Sequence, residues 1–396
     1  MSDQTSPAAD PAAAPTRGKK RGVLMRLFGA ATLLGAIAFG AWYYLDGRWY
    51  EGTDDAYVNG NIVQVTPQIT GTVVSIGADD GDLVKQGDVL IKLDKSDADI
   101  ALQHATANLA NTVRRVRGLY STVSGAQAAV AVRRVAVEKA QLDYNRRRDL
   151  AQTGAISAEE LSHALDALTA AESALTDAQQ QLQTNKVLVD DTVVASHPDV
   201  QAAAAAYRAA YLADVRTTIV APVTGYVAKR TVQVGQRVQP GAALMAVVPL
   251  HEVWVDANFK ETQLTDMRIG QPVDITADVY GHSVKYQGRV LELGVGTGAA
   301  FSLLPAQNAT GNWIKIVQRM PVRVVFTDPA QLDQHPLRIG MSMDAEVNLH
   351  DQNGPTLAQQ AQTVPRYTTP VFEQQLADVD SHIAQIIHAN MAGSTH

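Results

Sequence analysis

The chain has 396 residues, is 46% hydrophobic, carries a formal net charge of -7 and contains no cysteine. That length accommodates two or three domains with a real core. With no basic tract beyond the first 26 residues, the electrostatic footprint of a nucleic-acid binder is missing, and the lack of cysteine excludes disulfides, a thiolate nucleophile and a thiolate metal site.

Residues 1–23 read as a disordered cytoplasmic tail, rich in Ala and Pro at first and basic toward its end through Arg17, Lys19, Lys20 and Arg21. Residues 24–45 follow as a transmembrane helix, because LFGAATLLGAIAFGAWYYL is long enough to cross a bilayer core. Basic residues before it, and Asp46, Glu51, Asp54 and Asp55 after it, place the amino terminus in the cytoplasm by the positive-inside rule, with Trp42, Tyr43 and Tyr44 as an interfacial belt. A cleaved signal peptide ending at Ala36-Ile37-Ala38 is the alternative. The apolar run continues through the aromatic cluster past that site, which favours an anchor.

Residues 46–94 contain the strand-like DAYVNGNIVQV, expected to join either the sandwich that follows or the barrel further on, and then half of a small β-module. Its Gly81, Val84, Gly87 and Leu90 recur as Gly235, Val238, Gly241 and Leu244, a constant offset of 154, and Gly71 and Gly225 keep the same offset. The second half spans 215–250.

Between the halves, residues 95–214 are rich in Ala, Gln, Leu, Arg and Glu and read as helix. Leu161, Leu168, Leu175, Leu182 and Val189 recur every seven residues, with Leu165 as the expected intermediate position, which is the seam of a coiled coil. Leu102, Leu109, Val113, Val116, Tyr120 and Val123 form the facing stripe. Between them, QTGAISAEEL carries Gly154 as a helix stop and Ser157 with Glu160 as a capping box. Two arms of nearly equal length, 95–152 and 157–213, pair antiparallel and bring the chain back to where it departed, so the two half-modules meet. Breaks are expected near Gly118 and Gly125 in one arm and at Pro198 in the other. A globular helical bundle is the alternative, but Ala- and Gln-rich arms offer too narrow an apolar face for it.

Residues 251–349 alternate apolar and polar positions in short runs, among them VWVDANF, PVDITADVY, PVRVVF and MDAEVNL, and predict a small antiparallel barrel. Residues 350–396 form a tail in which FEQQLADVDSHIAQIIHANM is a possible short amphipathic helix. Enzyme signatures are lacking. The ten histidines are scattered, G-x-S-x-G and Walker sequences are absent, and GVGTG at 294–298 lacks the strand-turn-helix setting of a phosphate cradle. Met341 and Met343 read as packing rather than as a soft-metal site. No catalytic, cofactor-binding or metal site is therefore expected.

The two halves resemble the lipoyl or biotinyl carrier fold, in which Gly71, Gly81, Gly87, Gly225, Gly235 and Gly241 would be the fold's glycines. In the carriers a modified lysine sits at the tip of the turn joining the halves. Lys95 lies near that place but about two positions out of register, and the hairpin replaces the turn. Sandwich, hairpin, sandwich and β-rich segment behind one membrane span resemble the periplasmic adaptor, or membrane fusion protein, family (HlyD family). Within it, DDAYVNGN, DYNRRR, PVTGYV, LMAVVP, WVDANFKETQL and FSLLPAQNATGNWIKIVQRMPVRV, covering roughly 48–350, are similar to the Emr-type multidrug efflux adaptors.

The resemblance implies a multidomain α+β protein: a single N-terminal transmembrane helix, a lipoyl-like β-sandwich split by a long α-helical coiled-coil hairpin, and an antiparallel β-barrel. It implies a non-enzymatic adaptor in the inner membrane, single-pass, with its bulk in the periplasm. The adaptor would link an inner-membrane major facilitator drug/proton antiporter (EmrB-like) to a TolC-like outer-membrane channel and work as a homo-oligomer, trimer or hexamer. It places Arg146, Leu150 and Ser157 at the spacing of the tip motif that docks on the channel, against the plainer alternative of helix capping and a solvated arginine cluster. Phe301, Leu303, Leu304 and Trp313 lie in an apolar loop suited to contact with the pump, the membrane or a neighbouring protomer, or else folded back over the barrel. An adaptor for an ATP-driven type I protein exporter shares the architecture, and a lipoyl or biotin carrier subunit modified on Lys95 is the remaining alternative.

Overall fold

The computed structural model describes residues 18–189, 192–298, 300–301 and 317–391, which form two compact units. One contains the chain up to Asn61 and Pro249–Pro365; the other contains Ile62–Val248 and the segment from Arg366 onward. Helix α1 spans Gly18–Leu45. It starts inside the segment expected to be tail, because nothing after Pro15 breaks a helix and Lys and Arg are good helix formers. A single turn at Gly47–Trp49 leads into β1 (Tyr50–Asn59), and β2 (Val63–Val65), β3 (Gly71–Ile76), β4 (Leu83–Val84) and β5 (Val89–Leu93) follow. The hairpin is α2 (Ser96–Gln152), α3 (Ala158–Val187) and α4 (Pro198–Val215). Strands β6 (Thr218–Val220), β7 (Gly225–Ala228), β8 (Arg237–Val238) and β9 (Met245–Val248) form the second half-module. Beyond it come β10 (Trp254–Lys260), β11 (Pro272–Ala277), β12 (Lys285–Leu293), β13 (Arg319–Phe326), the short α5 (Ala330–Gln334), β14 (Ser342–Asn348) and α6 (Val379–Met391).

The half-modules do not stack as two finished objects; they exchange strands. One sheet runs β2-β9-β7-β4 and the other β6-β5-β3-β8, so each half contributes the edges of a sheet whose centre belongs to the other. The backbone bonds repeat with the sequence offset. Gly81 N–H donates to Val227 O at 2.9 Å and Gly235 N–H to Val73 O at 2.8 Å; Gly87 N–H donates to Ala221 O at 2.9 Å and Gly241 N–H to Pro67 O at 3.3 Å. These four glycines have φ between +83° and +93°, a region L side chains rarely adopt, which is why the repeat preserves glycine at them. Gly71 serves differently: a Cβ there would lie 3.1 Å from the Leu93 side chain. Leu90, Ile91, Val227, Leu244 and Val247, drawn from both halves, fill the shared core.

Helix α2 runs unbroken for 57 residues, about 85 Å at 1.5 Å per residue. The breaks expected at Gly118 and Gly125 do not occur. Each glycine costs a helix only about 1 kcal/mol relative to alanine, and buried Val116 and Val123 hold the segment against its partners. The second arm does break at Pro198, which occupies the first turn of α4, where its missing N–H costs nothing. His197 closes the joint. Its Nδ1 accepts from Asp199 N–H at 3.2 Å, so Nε2 carries the proton it donates to Leu188 O, 3.1 Å away, at the end of α3. Tyr120 on α2 pins the same joint through Thr192, hydrogen bonding to both its carbonyl and its hydroxyl.

The seam between α2 and α3 corrects a further expectation. Leu168 is buried and Leu161, Leu175 and Leu182 are half-buried, but Leu165 is 46% exposed. The intermediate positions are Ala164, Ala171 and Ala178, again seven apart, which let the two backbones approach closely. At the base of the hairpin, α6 adds a third helix: Val379, Ile383 and Ile387 pack with Leu109, Val113 and Val116 of α2 and with Val200, Ala204 and Tyr207 of α4. Arg208 pairs with Asp380 at 2.7 Å, and Arg117 donates to the carbonyls of Asn390 and Met391, each at 3.2 Å.

In the other unit, β1-β10-β13-β12-β11-β14 close an antiparallel barrel. Strand β1 thus belongs to the barrel and β2 to the sandwich, so the strand-like run before the first half serves both. Inward positions alternate along each strand and include Val58, Phe259, Ile275, Val324 and Met343. Gly288 is required here, since a Cβ would fall 2.7 Å from Val324. Burial pushes the Tyr286 hydroxyl up to about 12, and it donates to His335 O at 2.9 Å.

Gly118→Ala and Gly125→Ala meet nothing within 4 Å of the new Cβ. Each is expected to stabilise the hairpin by about 1 kcal/mol, seen as a raised urea midpoint of the 222 nm signal. Gly81→Ala and Gly235→Ala also have open space, but their positive φ opposes the side chain. Each is expected to destabilise the sandwich by about 1–2 kcal/mol, read from amide exchange of β7 and β3 respectively.

Candidate functional site

The hairpin tip is built by two opposed capping motifs. Helix α2 is C-capped by Thr153, and Gly154, with φ +73°, turns the chain. Gly154 N–H donates to Ala151 O and Ala155 N–H to Leu150 O, each at 3.0 Å, which is the Schellman pattern. Helix α3 starts at Ser157, whose hydroxyl accepts from Glu160 N–H at 3.2 Å while the Glu160 carboxylate accepts from Ser157 N–H at 3.1 Å. The turn is therefore held by its own hydrogen bonds and presents its side chains from a fixed frame.

Within that frame the three arginines differ. Arg147 pairs with Asp143 at 3.3 Å and reaches the Glu160 carbonyl, and Arg148 lies 3.6 Å from Asp149. Arg146 is exposed and, among the described residues, makes no ion pair or hydrogen bond. Leu150, one helical turn further on, is 42% exposed. Arg146 and Leu150 thus share one helix face, an unpaired cation beside an uncovered apolar side chain. Ser157 stands across the turn with its hydroxyl oxygen engaged in the cap and its hydroxyl proton free to donate. Such a surface suits end-on packing against helices that offer acceptors around an apolar socket.

The remaining expected residues lie elsewhere. Lys95 immediately precedes α2 and is exposed, 3.9 Å from Asp99, at a helix start rather than at the tip of a β-turn. Two hydrogen bonds from Ser96 hold the neighbouring Asp94 carboxyl below the usual carboxylate range. Phe301 is 71% exposed at the end of the described segment after β12; Leu303, Leu304 and Trp313 lie outside the described residues. The six lipoyl-fold glycines all lie in the unit that contains the sandwich. Met343 is buried in the barrel core and Met341 packs beside it. Two features escaped sequence reading. The alanine seam was present as a seven-residue spacing of Ala, and the seat of α6 was foreshadowed only by the apolar spacing of Val379, Ile383 and Ile387.

A family model described as "EMRA, alpha-helical hairpin domain" matches residues 96–217. The chain is 48% identical over 355 residues to the "Multidrug export protein EmrA" of Escherichia coli K12, covering 90% of this chain and 91% of that protein. It is 46% identical over 334 residues to the "Fatty acid resistance protein FarA" of Neisseria gonorrhoeae, covering 84% of each. A solved structure titled "Structure of the periplasmic adaptor protein EmrA" aligns with 76% of this chain and 99% of its own, at 18% identity and a TM-score of 0.38. The identity to the two curated relatives runs along 84–90% of the chain. With its split sandwich, inserted hairpin and barrel, the chain belongs to the EmrA family of membrane fusion adaptors.

Proposed function

We propose that this chain is the adaptor subunit of a tripartite multidrug efflux pump, anchored in the inner membrane by α1 with its amino terminus in the cytoplasm and its folded bulk in the periplasm. It links a major facilitator drug/proton antiporter to a TolC-like outer-membrane channel. The observation that carries the reading is sequence identity of 48% with a multidrug export protein across 90% of the chain. The transporter supplies the energy; this chain supplies a conduit, and several copies, three or six, surround the path, because one sandwich and one hairpin cannot enclose it.

Arg146, Leu150 and Ser157 meet the channel at the hairpin tip. The rigid double cap and the uncovered Arg146 and Leu150 support that role over capping alone, which accounts for Ser157 but for neither of the others. The segment that carries the exposed Phe301 contacts the pump, the membrane or a neighbouring protomer. Relatives named for multidrug export and for fatty acid resistance are about equally similar to this chain, which supports a cargo choice made by the transporter. No chemical step is assigned to the chain.

Leu150→Asp is expected to abolish drug resistance in cells while leaving membrane insertion and copurification of the transporter intact. Full resistance in that variant would sink the docking role. Crosslinking in native membranes, affinity purification and mass-spectrometric identification of partners are expected to return a polytopic transporter without an ATPase domain together with an outer-membrane channel. An ATP-binding exporter in its place would redirect the assignment to protein export.

A further inference from the structure

The strands of the barrel define two ends. Strand β1 begins at one of them with Tyr50, where β14 finishes at Asn348, since the two residues are paired. Following the antiparallel register, β10 and β12 also finish at that end and β11 and β13 start there. The segment between β12 and β13, which carries Val295, Phe301 and Val317, therefore leaves the barrel on the side at which α1 arrives. The chain exits toward β2 and returns before β10 at the opposite end, where the β11–β12 turn also lies with Val279 exposed.

The connection to α1 is short and fixed. Tyr50 is five residues beyond Leu45, a reach of at most about 17 Å even if extended. The path is a turn: Asp46 N–H donates to Trp42 O and Trp49 N–H to Asp46 O. The Arg48 guanidinium lies 4.3 Å from the Tyr44 ring of α1 and 4.5 Å from the Trp49 ring, joining helix to barrel by two cation–π contacts. Trp49 stacks on His350 at 5.3 Å, and its carbonyl accepts from Leu349 N–H at 2.8 Å. Aromatic and arginine side chains of this kind are those that settle at the lipid–water boundary.

The same end exposes apolar side chains that the barrel does not use: Val295 is 83% exposed, Phe301 71% and Val317 49%. Phe301 packs one side of its ring on the turn that precedes it and leaves the rest exposed. Ala300 N–H donates to Thr297 O at 2.9 Å, and the Phe301 ring lies so close over Gly296 that a Cβ there would be 2.7 Å from it. An exposed aromatic on the same segment as two exposed valines, at the end of the barrel where a membrane-length helix arrives, suits an apolar or interfacial neighbour.

We infer that the α1 end of the barrel is seated in the headgroup layer of the bilayer, with Val295, Phe301 and Val317 in contact with lipid. The occupant is a phospholipid surface because α1, whose apolar length is exposed, leads directly into this end of the barrel. The inference rests on α1 being the membrane anchor, and it narrows the proposed partners of Phe301 to one.

The chain has no native cysteine, so single nitroxide labels can be placed cleanly. Labels at Val295→Cys, Phe301→Cys and Val317→Cys, with Val279→Cys at the opposite end and Leu34→Cys inside α1, are compared in the full chain. The chain is reconstituted alone in phosphatidylethanolamine–phosphatidylglycerol vesicles. The ratio of oxygen to nickel-chelate collision rates reports depth. The expected result is a ratio at all three loop sites several-fold above that at Val279, with Leu34 higher still. Loop ratios equal to that of Val279, with Leu34 in the bilayer, would overturn the inference and leave the anchor standing. An aqueous value at Leu34 would remove the anchor and the inference together. Loop labels shielded from both relaxers would mean that a second copy covers the loop, and would overturn the inference equally.

Discussion

The strand exchange between the two lipoyl halves is the constraint on which the rest of its unit depends. Strand β4 of the first half pairs with β7 of the second, and β8 of the second with β3 of the first, so neither half owns a complete sheet. An isolated half would leave open edges and an uncovered core face. Leu93 and Thr217 must therefore be neighbours, as their backbone bond at 2.7 Å shows. Whatever is inserted between them has to return to its starting point. An antiparallel helical hairpin with arms of matched length is the simplest insertion that does so while projecting far from the sandwich.

That geometry also sets the composition of the hairpin. An arm near 85 Å long has little bulk beneath it, so its stability comes from a narrow seam rather than a broad core. Leucines and alanines alternating at heptad spacing supply such a seam between α2 and α3. Nearer the sandwich the second arm is interrupted, and there three devices compensate: the two bonds of the His197 ring, the Tyr120 contacts to Thr192, and the third helix α6. The joint is thus a supported one, with two of the supports spanning the break and the third, α6, on its sandwich side.

Much of this was legible in the sequence because it is written as repetition. The offset of 154 encoded the pseudo-symmetry, and glycines at φ near +90° had to recur because no other residue adopts that conformation cheaply. The capping box at Ser157 and the stop at Gly154 marked the tip to the residue. Sequence reasoning faltered where a weak local preference met strong tertiary support. Gly118 and Gly125 predict a kink by propensity, yet packing at Val116 and Val123 outweighs it. Leu165 fits the helical period, yet alanine takes the seam because closeness of the backbones matters more there than side-chain area. For α6 only an apolar spacing was visible, since an amphipathic helix does not name its partner. The exposed pair Arg146 and Leu150 was visible as residue types, but only the ion-pairing of Arg147 and Arg148 sets Arg146 apart.

The chain passes between its two units more than once, and this bears on how the protein can be made. Strand β1 lies between β10 and β14, and Tyr50 pairs with Asn348, so the first strand of the barrel waits for nearly the whole polypeptide before its sheet can close. The hairpin base waits longer still, for α6. Pairings this distant in sequence are slow to form, and they leave an unpaired edge strand and an apolar helix face uncovered in the interval. If α1 holds the chain at the membrane while the rest is translocated, the half-emerged chain is the state that leaves these surfaces uncovered.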